Sequence, residues 1–217
     1  MAGIASAIGI AAEGFILSLS IFIVALVLIA LGLHKSGAIV MLGAVAVASF
    51  FRDPERFPTR TEGVVISGAD GKITDVSEIE MPGVPGTKYH RVSVFMSPLN
   101  VHVNRAPVAG EVTRVEHTAG EFKAAFRDEA SEHNERNLIV FKDLNARAIG
   151  MMQVAGYLAR RIVCKLRVND RIETGQRIGL IMFGSRVDHF IPTEFRITVT
   201  VGDRVRAGLS VLAELSA

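Results

Sequence analysis

The sequence predicts a mainly β (α+β) protein: a compact β-sandwich or barrel-hybrid domain preceded by an N-terminal transmembrane helical hairpin. Three observations predict it. Among the first 51 residues only Glu13 and Lys35 are charged, whereas 21% of the whole chain is. From Arg52 onward, short apolar runs alternate with Gly, Pro, Asn and Asp, the pattern of many short strands joined by turns. A segment V-x-D-R-[IV]-x-x-G occurs twice, starting at Val168 and at Val201. The change in composition sets the boundary: 1–51 is expected to be the membrane anchor and 52–217 the second domain.

The anchor begins with "FILSLSIFIVALVLIALGL", Phe15 to Leu33. About nineteen uncharged residues at about 1.5 Å rise span about 28 Å, close to the hydrocarbon core of a bilayer. The following "AIVMLGAVAVASFF", Ala38 to Phe51, has about fourteen residues, short for a full crossing, and is read as the tilted partner of a hairpin. A cleaved signal peptide is the competing reading, but it would need a basic n-region and a shorter apolar stretch, and a second apolar run follows directly. The segment "RDPERFPTR", Arg52 to Arg60, carries three arginines at the exit. The positive-inside tendency therefore places the second domain on the cytoplasmic face of the cell (inner) membrane.

The strands of that domain are expected in "GVVISGADGKITDVSEI", "HRVSVFMS", "GEVTRVEHT", "NLIVFKD", "RRIVCKLRV", "RIGLIMFG" and "FRITVTVGD". Helical stretches are expected at Lys123–Ser131 and Ala148–Tyr157. Each copy of the repeat reads as a strand, an acidic turn and a glycine with room for positive φ, a unit also used by β-sandwich hybrids of the lipoyl and biotinyl type. A carrier domain would need a modifiable lysine at the hairpin tip, and neither copy has one. Net charge is +2 with no Lys/Arg run, which argues against a nucleic-acid partner. One cysteine, Cys164, on an alternating segment that suggests a strand and a small buried side chain, excludes a disulfide framework or a cysteine-rich metal site within the chain, and no metal is predicted.

Ser185 stands in "IMFGSRVDHFIP". A hydrolase nucleophile elbow would be G-x-S-x-G between strand and helix; here the serine follows glycine directly and precedes a segment that is neither helical nor closed by glycine. Alone it reads as a turn residue. Asp70, in the "ADG" turn, and His102, on the extended segment of "FMSPLNVHVNRAP", also read as structural when taken singly.

Taken together, the apolar hairpin, "FFRDPER", "ADGKI", "FMSPLNVHVNRAP", "HNERN" (His133–Asn137), "GMMQVAGYLARRI" and "GQRIGLIMFGSRVD" resemble, in order and spacing, the phosphatidylserine decarboxylase proenzymes of the short membrane-anchored type. The resemblance implies self-cleavage between Gly184 and Ser185, with Ser185 converted to an N-terminal pyruvoyl group. In that chemistry the serine oxygen attacks the Gly184 carbonyl, His102 is the base and Asp70 orients its imidazole, as in a Ser-His-Asp triad. The pyruvoyl cofactor would then form a Schiff base with phosphatidylserine and act as electron sink for loss of CO2, leaving phosphatidylethanolamine. The implied partners are the lipid substrate, the membrane, and a heterodimer of the large and small chains cut from one precursor.

Longer family members carry H-x-x-H where this chain has His102 and Arg105. His102 is therefore expected to serve both maturation and decarboxylation, with His133 or His189 as alternatives for one role. His117 and His189 are expected to be exposed, and Arg105 and Arg186 to be solvated, with contact to the phosphate or carboxylate of the substrate as the alternative. Two rival readings are a decarboxylase of a related serine-headgroup lipid such as archaetidylserine, and a non-enzymatic membrane-tethered adaptor.

Overall fold

Small side chains bring the two N-terminal helices together. In the computed structural model, which describes residues 9–120, 134–156, 161–182 and 185–216, α1 (Ala12–Ala30) and α2 (His34–Phe50) are joined by a turn at Gly32, φ +82°. Their buried residues include Gly14, Ser18 and Ala25 on α1 and Gly37 and Ala44 on α2. A Cβ on Gly14 would lie 2.0 Å from the Phe51 ring, and one on Gly37 would lie 2.5 Å from the Ile29 side chain. Such close approach is how helices associate where the surroundings are as apolar as the side chains. At 19 residues α1 is long and apolar enough to cross a membrane; α2, at 17, is shorter and starts at His34, four residues ahead of the apolar run. These helices belong to a unit spanning Met1–Glu55, and Arg56–Ala217 form a second.

Fourteen strands are described in the second unit: β1 (Val64–Ile66), β2 (Gly71–Glu80), β3 (Lys88–Met96), β4 (Val103–Arg105), β5 (Gly110–Thr118), β6 (Arg136–Asp143), β7 (Ala148–Val154), β8 (Ile162–Cys164), β9 (Arg171–Ile172), β10 (Arg177–Ile181), β11 (Ser185–Pro192), β12 (Phe195–Ile197), β13 (Arg204–Val205) and β14 (Val211–Leu215). An antiparallel eight-stranded sheet has the order β13-β2-β3-β11-β7-β6-β5-β9. Two three-stranded sheets, β1-β14-β12 and β4-β10-β8, accompany it. The main core, which includes Val92, Val94, Met96, Ile139, Phe141, Met151, Val187 and Ile191, lies on one face of the large sheet. A smaller cluster around Met81, Val154 and Phe190 covers the other face.

The topology is duplicated. The order of the large sheet reads the same from both ends when β13, β2, β3 and β11 are matched to β9, β5, β6 and β7, and β1-β14-β12 matches β4-β10-β8. Registers agree residue by residue. Gly71 pairs with Val205 as Gly110 does with Ile172, and irregularities follow at Ile73/Asp75 and at Val112/Arg114. The repeat noticed in the sequence supplies β9 and β13, at opposite edges of the sheet. Asp170 and Asp203 cap their turns through the N–H groups of Arg167 and Thr200, and Gly175 and Gly208 take φ of +80° and +78°. The strand, acidic turn and positive-φ glycine are as expected.

Ala148–Val154 is a strand rather than the expected helix. Met, Gln and Ala favour helices, yet the run is buried from Ile149 to Val154, and the continuous burial of a central strand overrides propensity. Gly150 makes this possible, since a Cβ there would lie 2.3 Å from Met81 Sδ and 3.1 Å from Phe190 Cβ. Cys164 ends β8 as a free, half-buried thiol, less covered than its segment suggested. The expected helix at Lys123–Ser131, and also Tyr157, His133 and Gly184, lie outside the described residues.

Candidate active site

Ser185 opens β11, a strand buried over Ser185–Ile191 because both its neighbours are long strands and both faces of the sheet are covered. Alternation sends Ser185, Val187, His189 and Ile191 into the main core and Arg186, Asp188 and Phe190 to the other face. Ser185 is fully buried. It sits opposite Met96 on β3, and its hydroxyl donates to Met96 Sδ at 3.5 Å.

His102 is also buried, just before β4. Its Nδ1 lies 2.9 Å from the carbonyl oxygen of Asn100. A carbonyl can only accept, so Nδ1 carries the proton and Nε2 is the basic nitrogen. The Ser-Pro-Leu-Asn turn makes this arrangement rigid: Asn100 N–H donates to Ser97 O, and Asn100 Oδ1 accepts from both the N–H and the hydroxyl of Ser97.

Asp70 has other partners. Its carboxylate is held by the fork of Arg56, Nη1–Oδ1 2.5 Å and Nη2–Oδ2 2.9 Å, and Oδ1 also accepts Ala207 N–H at 2.8 Å. A two-pronged guanidinium and a backbone donor fix this carboxylate in place. The Asn100 carbonyl is the acceptor that faces the imidazole Nδ1–H. Arg56, counted in the sequence as a charge at the membrane exit, is a buried structural partner.

The loop carrying Asp70 still reaches both other segments, through Gly68. Its N–H donates to His189 Nε2 at 2.8 Å, and its carbonyl accepts from Arg105 N–H at 2.9 Å and Asn104 Nδ2 at 3.3 Å. A side chain at this position would meet Arg105 O and Met151 Sδ, each 2.7 Å from a Cβ. Gly68 thus ties the loop carrying Asp70 to His189 on β11, the strand that Ser185 opens, and to Asn104 and Arg105 on β4, the strand that follows His102.

His189 is fully buried, contrary to its expected exposure, because alternation along β11 turns it into the core. Its Nε2 accepts from Gly68 and its Nδ1 donates to Val92 O at 3.2 Å, so the ring is neutral, and burial pushes its pKa down to about 4. Between about 4 and the ordinary 6.5 the unfolded chain therefore binds a proton that the folded chain does not. This stability is complete above pH 6.5 and is lost as pH falls, by on the order of 3 kcal/mol by pH 4. Denaturant titration of the full chain in detergent should show that decline, and His189→Asn should flatten it; equal slopes for both proteins would refute the assignment.

Arg105 and Arg186 are not solvated. Arg105 is buried and donates from Nη1 to Gly175 O at 3.0 Å. Arg186 forms a buried ion pair with Asp188, donating from Nη2 to Oδ2 at 3.0 Å, beside Ser185 on the same strand. His117 is exposed and lies 3.0 Å from Glu135. Among the described residues no group of three or more His, Cys, Asp and Glu is placed to hold a metal ion.

A family model described as phosphatidylserine decarboxylase matches residues 44–213, which include every one of these side chains. The chain belongs to the phosphatidylserine decarboxylase family. A protein of Desulfotalea psychrophila named phosphatidylserine decarboxylase proenzyme is 44% identical over 177 residues, covering 82% of this chain and 83% of its own. Proteins of the same name from Gluconobacter oxydans (46% over 169 residues, 76% and 75% covered) and Symbiobacterium thermophilum (44% over 194 residues, 89% and 90% covered) are similarly close. The resemblance drawn from seven short segments is therefore a family relationship across most of the chain.

Sequence reasoning passed over four residues that this member of the phosphatidylserine decarboxylase family links to Ser185 by buried contacts: Met96, Asn104, Asn137 and Gln153. Each lay inside a quoted family motif, but none has a titratable or nucleophilic group to single it out. Their buried contacts are what mark them.

Proposed function

We propose that this chain is a self-processing carboxy-lyase that cuts itself between Gly184 and Ser185 and then converts phosphatidylserine to phosphatidylethanolamine and CO2. The burial of Ser185 carries the reading. A hydroxyl with no solvent exposure can attack only what its own chain brings to it, and the adjoining peptide bond is such a target. His102 Nε2 takes the Ser185 proton, the oxygen adds to the Gly184 carbonyl, and the amide becomes an ester at Ser185. Removal of the Ser185 α-proton then expels the Gly184 carboxylate, and hydrolysis of the resulting enamine releases ammonia and leaves a pyruvoyl end.

The surroundings of Ser185 suit such a group. Its hydroxyl gives up only a bond to a thioether, a weak acceptor, while the amide of Asn104 approaches the same sulfur as a donor suited to a keto oxygen. When present, the pyruvoyl group supplies an electron-withdrawing carbonyl that makes loss of CO2 from an amino-acid head group feasible. His102, held by Asn100, delivers the proton that replaces CO2. After the cut the small chain stays in place, because β11 remains paired along its whole length with β3 and over five residues with β7, in the middle of the sheet. The large and small chains form the heterodimer. The membrane anchor of Met1–Phe51 keeps the site at the cytoplasmic surface of the bilayer that holds its substrate.

Intact-mass measurement of the purified protein tests this reading. Two chains of about 184 and 33 residues are expected, the smaller lighter than its unmodified sequence by one ammonia, about 17 mass units. A single uncut chain that releases CO2 from phosphatidylserine would overturn it.

A further inference from the structure

A line of three side-chain amides crosses the otherwise apolar core toward Ser185. Asn137 Nδ2 donates to Gln153 Oε1 at 3.0 Å, Gln153 Nε2 donates to Asn104 Oδ1 at 2.9 Å, and Asn104 Nδ2 points to Gly68 O at 3.3 Å and Met96 Sδ at 3.8 Å. Asn104 and Gln153 are fully buried, and Asn137 is 1% exposed. Each amide fixes the next, so the last presents its N–H groups, not its oxygen, to the sulfur that also receives the Ser185 hydroxyl.

The fold itself does not need these amides. Under the duplication, Asn104 on β4 corresponds to Val65 on β1, since Asn104 pairs with Gly179 as Val65 pairs with Ala213, each beside the same irregularity. Gln153 on β7 corresponds to Ile191 on β11, as Asn137 pairs with Gln153 where His90 pairs with Ile191. The other half fills both positions with fully buried aliphatics on the same backbone. Buried polar groups are costly unless satisfied, and for Asn104 and Gln153 an apolar alternative stands at the corresponding position of the same molecule, while the counterpart of Asn137 is the half-buried His90.

We propose that Asn137, Gln153 and Asn104 are a relay of positioning residues that sets the Ser185 hydroxyl for self-cleavage, acting through the Met96 thioether. This rests on Ser185 being the self-cleaving nucleophile. The Asn104 N–H shares the sulfur and holds it in place. The sulfur in turn aims the hydroxyl without binding it strongly, so a base removes its proton without first breaking a strong hydrogen bond.

The test follows cleavage of newly made full-length chain on gels, in parallel with melting temperature in the uncleavable Ser185→Ala background. The triple variant Asn104→Val, Gln153→Ile, Asn137→Leu is expected to melt near the parent, because all partners are removed together. Its cleavage is expected to be slower by about tenfold or more. Asn104→Thr, the same shape as Asn104→Val but with a hydroxyl that can accept from Gln153 and donate onward, is expected to restore most of the rate that Asn104→Val loses. A purely structural role predicts the reverse: a lower melting temperature, with cleavage of the folded fraction unchanged. Cleavage within twofold of wild type by a folded triple variant would overturn the relay, as would equal rates for Asn104→Val and Asn104→Thr if the triple variant does not fold. Failure of the wild-type chain to cleave at all would instead overturn the reading of Ser185.

Discussion

Ser185→Ala is expected to leave a single uncut chain of 217 residues that folds normally and has no decarboxylase activity. The loss is complete because alanine has no oxygen to attack the Gly184 carbonyl and nothing from which a pyruvoyl end could form. The cost to stability is small. Among the described residues the bond removed is a hydroxyl donated to sulfur at 3.5 Å, worth about 1 kcal/mol or less, and β11 keeps its backbone pairing with β3 and β7. Fold and chemistry thus separate cleanly at this position. Gel electrophoresis, a thermal melt and CO2 release from carboxyl-labelled phosphatidylserine check the three parts. Any CO2 released above background by this variant, or a melt lowered by much more than a few degrees, contradicts the assignment.

How much of this was visible in the sequence depended on whether a feature is local. The strands, their turns and the positive-φ glycines of V-x-D-R-[IV]-x-x-G were readable because each is set by residues within one turn of chain. The apolar hairpin was readable because composition alone marks it. His189, Arg105 and Arg186 were misplaced because burial on β11 and β4 is decided by what covers both faces of a sheet, and polar residues give no local sign of it. Ala148–Val154 was misread for the same reason. Asp70 was found, but its partner was not: Arg56 lies only fourteen residues away, yet nothing in "RDPERF" distinguishes a guanidinium that turns inward from one that meets solvent.

The duplication was half visible. The V-x-D-R pair stood out, but "GKITDV" at Gly71–Val76 and "GEVTRV" at Gly110–Val115, which form corresponding starts of β2 and β5, went unnoticed until the registers aligned them. Corresponding positions differ between the halves. Where one half has Ser185 in contact with Met96, the other has Arg147 bonded to Asp143 at 2.7 Å; where one has Asp70, the other has Ala109. The sheet is common to both halves, whereas Ser185, Met96 and Asp70 stand on one half and His102, Asn104 and Gln153 on the other. The identity of the fold therefore says little about the reaction, while the differences between its halves point to the residues that carry it.

His102→Ala is expected to slow self-cleavage by about 10²- to 10⁴-fold, the range for loss of a positioned general base. The structure sharpens this into a comparison with Asp70→Asn. If the Asn100 carbonyl orients the imidazole, Asp70 acts mainly through Arg56 and Ala207 N–H. Asp70→Asn then removes the charge facing a largely buried guanidinium, which costs about 3 kcal/mol of stability, while the folded fraction still cleaves within about tenfold of wild type. His102→Ala has the opposite profile, with cleavage nearly lost and a smaller change in melting, because a buried ring and its hydrogen bond to Asn100 are removed but no buried charge loses its partner. Cleavage rates and melting temperatures of the two variants, measured side by side, decide the matter. Abolished cleavage in an Asp70→Asn chain that melts like wild type would restore the triad, with Asp70 rather than Asn100 governing His102.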